Sequence, residues 1–176
     1  YYQEQNRNWA FDEGESPVLV RVDSLFDLAW NTESGTLAAP PGLAADQFMV
    51  RWQGYLTMPT TGDYTLGVKS DDGVRVRFDR GSGYTTWYDD WSAHPLHQEI
   101  QWASAESFTG GTPVKVQLDF YNFTGPAILQ VYLKDPAENV FLWPGSWLSP
   151  GLNTVPTGWA VSLPGGGNSY SQATQG

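Results

Sequence analysis

Cysteine is absent from the 176 residues, which removes disulfides, thiolate metal sites and a cysteine nucleophile at once. Basic residues are scarce: Lys and Arg number 9 against 19 Asp and Glu, for a net charge of −10. Such a chain repels phosphate backbones, which argues against nucleic-acid binding. No apolar run approaches the ~18 residues that span a bilayer, and no basic-then-apolar leader opens the chain, so membrane insertion is not expected. Also missing are an amphipathic helix of three turns, an internal repeat, a Ser-His-Asp arrangement, a phosphate loop and a His-rich metal motif. His94 and His97 straddle a Pro-Leu pair at a spacing that fits no metal motif and read as loop residues. The chain is therefore not expected to be an enzyme.

What is present is aromatic and turn-rich. Trp 9, Tyr 9 and Phe 8 make up 15% of the chain, and Gly 19 and Pro 12 are spread along it. That is the profile of many short strands joined by turns, an all-β chain. Its length suits one domain, burying roughly 70% of the unfolded surface. An acidic, cysteine-free, Trp/Tyr-rich composition also permits a secreted module stabilised by packing and calcium. The sequence begins at Tyr1 as though excised from something longer, which suggests a monomeric module within a larger chain.

In chain order, Pro17 to Val22 reads as a first strand and Phe26 to Trp30 as a short second one. A loop from Asn31 to Asp46 follows, of a length usually functional or insertion-tolerant. The clearest strand is Gln47 to Met58, with Phe48, Val50, Trp52, Leu56 and Met58 on one face and Arg51, Gln53, Tyr55 and Thr57 on the other. Tyr64 to Lys69 and Val74 to Phe78 continue it as a meander. Tyr84 to Trp91 alternates poorly and reads as loop plus a short strand, with Tyr84, Trp87, Tyr88, Asp89 and Asp90 as a candidate surface and Trp91 as core. Gln98 to Ala103 is a weak strand. Val114 to Tyr121 alternates cleanly and forms a hairpin with Leu129 to Leu133 through the turn Asn122-Phe123-Thr124-Gly125-Pro126. Residues 1–147 read as the sandwich and 148–176 as a Pro/Gly/Ser-rich extension or linker, with Leu163 to Ser169 its most linker-like part.

Asp71 and Asp72 are adjacent at a turn between two strand-like runs, and Gly73 supplies the flexible position that a tight reversal needs. Two neighbouring negative charges cost Coulomb energy that a hard cation with oxygen ligands would remove, which points to calcium. The alternative is a solvated Asp-Asp-Gly hairpin turn. The Asn122 turn is the other one with plausible oxygen ligands at its tip, although Asn122-Phe123-Thr124 also matches a glycosylation acceptor.

Three stretches taken together carry a resemblance: Asp46 to Leu56, Pro59 to Thr65, and Ser70-Asp71-Asp72-Gly73-Val74-Arg75-Val76. In order, spacing and residue type they resemble the domain named after the N-terminal part of anthrax protective antigen, in its flocculin- and adhesin-like calcium-dependent lectin branch. The likeness runs from about Tyr1 to Trp143. It implies a twisted antiparallel β-sandwich that binds terminal sugars of glycans or glycoproteins, outside the cell or at its surface. It also implies a cis bond between two adjacent Asp residues that hold one calcium, here Asp71 and Asp72. Asn122 matches the side-chain ligand of the second loop and Thr124 a carbonyl donor, with Phe123 placed to stack on a sugar. A sugar's vicinal hydroxyls would complete the coordination. The competing expectation is a protein-interaction or spacer module with the same fold and no sugar ligand.

Overall fold

The computed structural model describes residues 1–4, 8–11, 16–23, 26–30 and 42–150. Alternating apolar and polar residues build its longest strands, because successive side chains in extended backbone point to opposite faces. In chain order the strands are β1 (Tyr2–Gln3), β2 (Asp27–Trp30), β3 (Phe48–Thr57), β4 (Gly62–Asp71), β5 (Val74–Asp79) and β6 (Tyr84–Asp90). Then come β7 (Gln101–Phe108), β8 (Pro113–Asn122), β9 (Ala127–Lys134), β10 (Val140–Leu142) and β11 (Leu148–Pro150), with one 3₁₀ turn at Gly145–Trp147.

All pairings are antiparallel and fall into two sheets. One has the order β1-β3-β8-β5-β6, with β11 also on β3; the other has the order β10-β9-β4-β7, with β2 also on β9. This is the expected β-sandwich. Between the sheets, Val50, Val74, Val76, Phe78, Leu118 and Phe120 share one buried cluster with Trp30, Tyr64, Leu66, Val68, Leu129 and Val131. Trp30 lies stacked against Phe120, with ring centroids 5.9 Å apart, and so ties the two sheets together.

Several local expectations change. Pro17 to Val22 is no strand; within it only Arg21 forms an isolated bridge, and the Val18 and Leu19 N–H groups turn to the Tyr1 carbonyl at 2.9 and 3.4 Å. The meander is also wrong, because β3 and β5 belong to one sheet and β4 to the other. For the same reason β8 and β9 are not a hairpin: they lie in opposite sheets. Tyr84 to Asp90 is a full edge strand whose alternation is blurred by a register shift at Val76/Arg77. The sandwich runs past residue 147, since Leu148, Ser149 and Pro150 pair with Leu56, Tyr55 and Gly54. The proposed linker from Leu163 to Ser169 and most of the Asn31–Asp46 loop lie outside the described residues.

The polar residues of β8 are less solvated than their alternation suggests. Asp119 is 1% exposed, gripped by the Arg51 guanidinium at 2.7 and 2.9 Å and by Arg77 at 2.7 Å. The N-terminal segment covers this outer face: Trp9 stacks on Tyr121 at 4.6 Å and Phe11 lies under Arg51 at 3.8 Å. Buried charge is tolerated there because several hydrogen bonds satisfy the carboxylate.

Candidate functional site

Two chain crossings from sheet to sheet sit side by side at one end of the sandwich. The first takes β4 into β5 through Asp72 and Gly73, and the second takes β8 into β9 through residues 123–126. They stack because their legs are paired: Asp71 sits opposite Ile128 in one sheet and Val74 opposite Phe120 in the other. The Tyr121 N–H donates to the Gly73 carbonyl at 3.0 Å, so the contact continues into the crossing itself. Gly73 is required here for a reason other than turn flexibility. A Cβ on it would stand 2.3 Å from Cε1 of Tyr121, so the aromatic ring occupies the space that any side chain would need.

The peptide bond between Asp71 and Asp72 is cis. Asp72 is 6% exposed, and each of its carboxylate oxygens accepts one backbone N–H from a remote segment: Oδ1 from His94 at 3.0 Å and Oδ2 from Phe123 at 2.7 Å. Asp71 is half-buried and accepts the Leu96 N–H, yet burial and then the charge of Asp72 raise its pKa above the ordinary carboxylate value. Tyr121, beside the pair, is pushed up to about 12 by burial and then by the charges of Asp72 and Asp90. The site therefore carries concentrated negative charge.

Asn122 is fully buried, at 0% exposure. Its Nδ2 donates to the Ala45 carbonyl at 3.3 Å, while its Oδ1 has no hydrogen-bond partner. Burial removes the glycosylation reading in the folded protein, since the acceptor amide is enclosed. An unpaired buried oxygen costs roughly 1–3 kcal/mol unless something compensates it. Phe123 is 37% exposed with its ring edge against Trp9 at 5.6 Å, and Thr124 follows it, exposed in the same crossing. The structure thus brings Asp72, Asn122 and Phe123 together and places Asp71 and Thr124 in the same two crossings.

Sequence reasoning missed two further walls. The segment before β3 closes one side, with the Gly125 N–H donating to Asp46 Oδ1 at 2.9 Å and the Gln47 N–H to the Phe123 carbonyl at 3.2 Å. The segment after β6 straps the other, anchored by the His94 N–H on Asp72 and by the His97 N–H on the Ser70 carbonyl at 3.3 Å. A backbone donor leaves no residue-type signal, so neither wall was legible from composition. The candidate aromatic-acidic surface divides instead of acting together. Trp87 is core and donates to the Ser104 carbonyl at 3.1 Å, Asp89 pairs with Arg75 at 3.0 Å, and Asp90 faces the two histidines. Trp91 is half-buried rather than core, its ring lying under the Arg75 guanidinium.

Two carboxylates and a donorless amide oxygen thus lie on these two crossings, and oxygen is the ligand type that a hard dication takes. A two-sheet antiparallel sandwich that presents such a set on stacked crossings defines a class of β-sandwich module. The model of the PA14 domain matches residues 17–140, and the chain belongs to the PA14 domain family. No curated protein matches it. Among solved structures it is similar to an anti-sigma factor domain-containing protein, with 22% identity, a TM-score of 0.67, and coverage of 79% of this chain and 45% of that one. A second anti-sigma factor domain-containing protein, from Clostridium clariflavum, shows 24% identity and a TM-score of 0.67 over 85% of this chain and 46% of that one. A PA14 sugar-binding domain from an RTX adhesin shows 22% identity and a TM-score of 0.50 over 58% of this chain and 54% of that one. The chain thus spans under half the length of the two anti-sigma factor proteins. These likenesses establish the shared fold.

Proposed function

We propose that this PA14 domain is a calcium-dependent carbohydrate-binding module of a secreted or cell-surface protein of the adhesin kind, recognising vicinal hydroxyls of terminal sugars. Asp71, Asp72 and Asn122 supply the side-chain oxygens, and Thr124 a backbone carbonyl. The observation that carries the reading is the buried, unpaired Oδ1 of Asn122 beside an acid pair in which burial, and then the charge of Asp72, raises Asp71. The similarity to a domain titled as sugar-binding lends support.

Calcium takes about 6–8 oxygens, more than these residues provide, which leaves places for a diol. When bound, the ion would supply positive charge to orient hydroxyl oxygens. Of the protein groups, Asp72 holds its orientation through the His94 and Phe123 N–H groups, and Phe123 offers a partly exposed aromatic face for a sugar's C–H surface. The role is binding and not catalysis, because adjacent acids on one crossing are poorly placed to straddle a glycosidic bond at the separations of about 5–10 Å used by glycosidases. A glycan array probed in calcium and again in EDTA tests this, with Asp72→Asn as control. Hits that need calcium and vanish in the variant support the proposal. An array with no calcium-dependent hit sinks it in favour of the spacer or protein-interaction module.

A further inference from the structure

Beside the acid pair lies a second, chemically different cluster. Asp90 closes β6, and the segment after it folds back so that the His94 and His97 rings lie 4.2 Å apart, centroid to centroid. One ligand atom from each of Asp90, His94 and His97 falls within 4.8 Å of the other two. Both Nε2 atoms face a single oxygen, Asp90 Oδ2, at 3.5 Å for His94 and 3.2 Å for His97. Two ligands held about 2.0–2.1 Å from a tetrahedral zinc stand ~3.3 Å apart, so these separations are those of ligands around one ion.

The contacts of His94 and Asp90 fit the same reading, and His97 Nε2, which hydrogen-bonds to Asp90 here, would give up that proton to a bound ion. His94 Nδ1 lies 2.9 Å from the Pro95 carbonyl, which can only accept, so Nδ1 carries a proton, and in that tautomer of the neutral ring the Nε2 lone pair is turned toward Asp90. That Nε2 is buried without a hydrogen-bond partner, and a lone pair facing a carboxylate oxygen is repulsive unless a cation lies between them. Asp90 is oriented too, because the Ser92 hydroxyl donates to its Oδ1 at 2.8 Å and leaves Oδ2 for the cluster. The segment itself is fixed by the His94 N–H on Asp72 and the His97 N–H on the Ser70 carbonyl.

We propose that Asp90, His94 and His97 form a site for a zinc-class transition-metal dication, with three protein ligands and an open fourth position. Two imidazoles favour zinc, nickel or copper over calcium, so the site is distinct in metal preference from the all-oxygen set at Asp71 and Asp72. It pins the strap that holds Asp72, and it stands whether or not the acid pair binds calcium.

The test is isothermal titration of the full chain, free of any histidine tag and held in saturating calcium, with zinc chloride. One equivalent should bind, and His94→Ala/His97→Ala should bind at least about tenfold more weakly. Asp90→Asn, which keeps the side chain's shape, should weaken binding in the same direction and covers the case in which the double variant misfolds. Cobalt(II) should give visible bands of a low-symmetry imidazole site in the wild type that are lost in Asp90→Asn. Zinc binding no tighter than in Asp90→Asn, or wild-type cobalt absorption like that of the aquo ion, would overturn the assignment.

Discussion

The acids in the hairpin turns and the acids in the sheet-to-sheet crossings have opposite fates. Asp79, the last residue of β5, accepts the Gly81 and Gly83 N–H groups at 2.6 and 2.9 Å, and these hold its carboxyl below the usual value. Asp135, after β9, is held down by the Asn139 side chain first and then by the backbone N–H groups of Asn139 and Ala137. Each is completed by its own few residues, as Asp in a turn commonly is. In the crossings, by contrast, Asp72 depends on donors from two remote segments, Asp71 is raised, and Asn122 Oδ1 has no donor. The same residue type is structural where its loop satisfies it and a candidate for ligand chemistry where the fold leaves it short of positive charge.

The comparison breaks most severely at Asp72. Replacing it with Asn should lower calcium affinity by about a hundredfold, equivalent to about 2.7 kcal/mol, as read by calorimetry; Asp79→Asn should leave calcium affinity at the wild-type value. Gly73→Ala should come next, destabilising the fold by roughly 2 kcal/mol through collision with the Tyr121 ring. For a chain of this size that is a fall of about 4–8 °C in Tm. Gly81→Ala, where an added Cβ meets nothing and only the positive φ of 108° resists, should cost about 1 kcal/mol.

The smallest effect is in pH, where the two regions should move in opposite senses. A carboxyl lowered in the folded state stabilises above its unfolded value of about 4, and that contribution is lost as pH falls through the lower folded value. Asp79 and Asp135 behave so. A raised carboxyl stabilises below the unfolded value, and its contribution is lost as pH climbs through the raised one. In calcium-free buffer, Asp71→Asn should therefore melt higher than wild type near neutral pH and lose that advantage toward pH 3, whereas Asp79→Asn should melt lower near neutral pH. Thermal melts from pH 3 to 7 in EDTA check both, and parallel profiles would remove the distinction.

Much of the fold was legible because its signal is local. The period-two alternation of Phe48 to Thr57 and Val114 to Tyr121 gave β3 and β8, which pair with each other along their whole length. What alternation does not encode is which sheet the next strand joins. Strand, short turn, strand reads identically for a hairpin and for a crossing, so β4 and β5 looked like neighbours although β4 pairs with β7 and β9, and β5 with β6 and β8. Asp71, Asp72 and Asn122 could nonetheless be singled out as candidates, since residue type and position within a turn survive that ambiguity. Asp90, His94 and His97 could not be grouped from the sequence, because their side chains meet only after the segment folds back onto Ser70 and Asp72. Asp46 fell between a loop and a strand, and its tie to Gly125 spans most of the domain.

The most direct test of the central claim is calorimetric titration of EDTA-treated protein with calcium, with Asp72→Asn and Asn122→Ala titrated alongside. The account predicts one calcium per wild-type chain, affinity reduced by about a hundredfold in Asp72→Asn, and by about tenfold in Asn122→Ala through the loss of one neutral oxygen ligand. Absence of calcium binding in the wild type, or equal affinity in all three proteins, would contradict it.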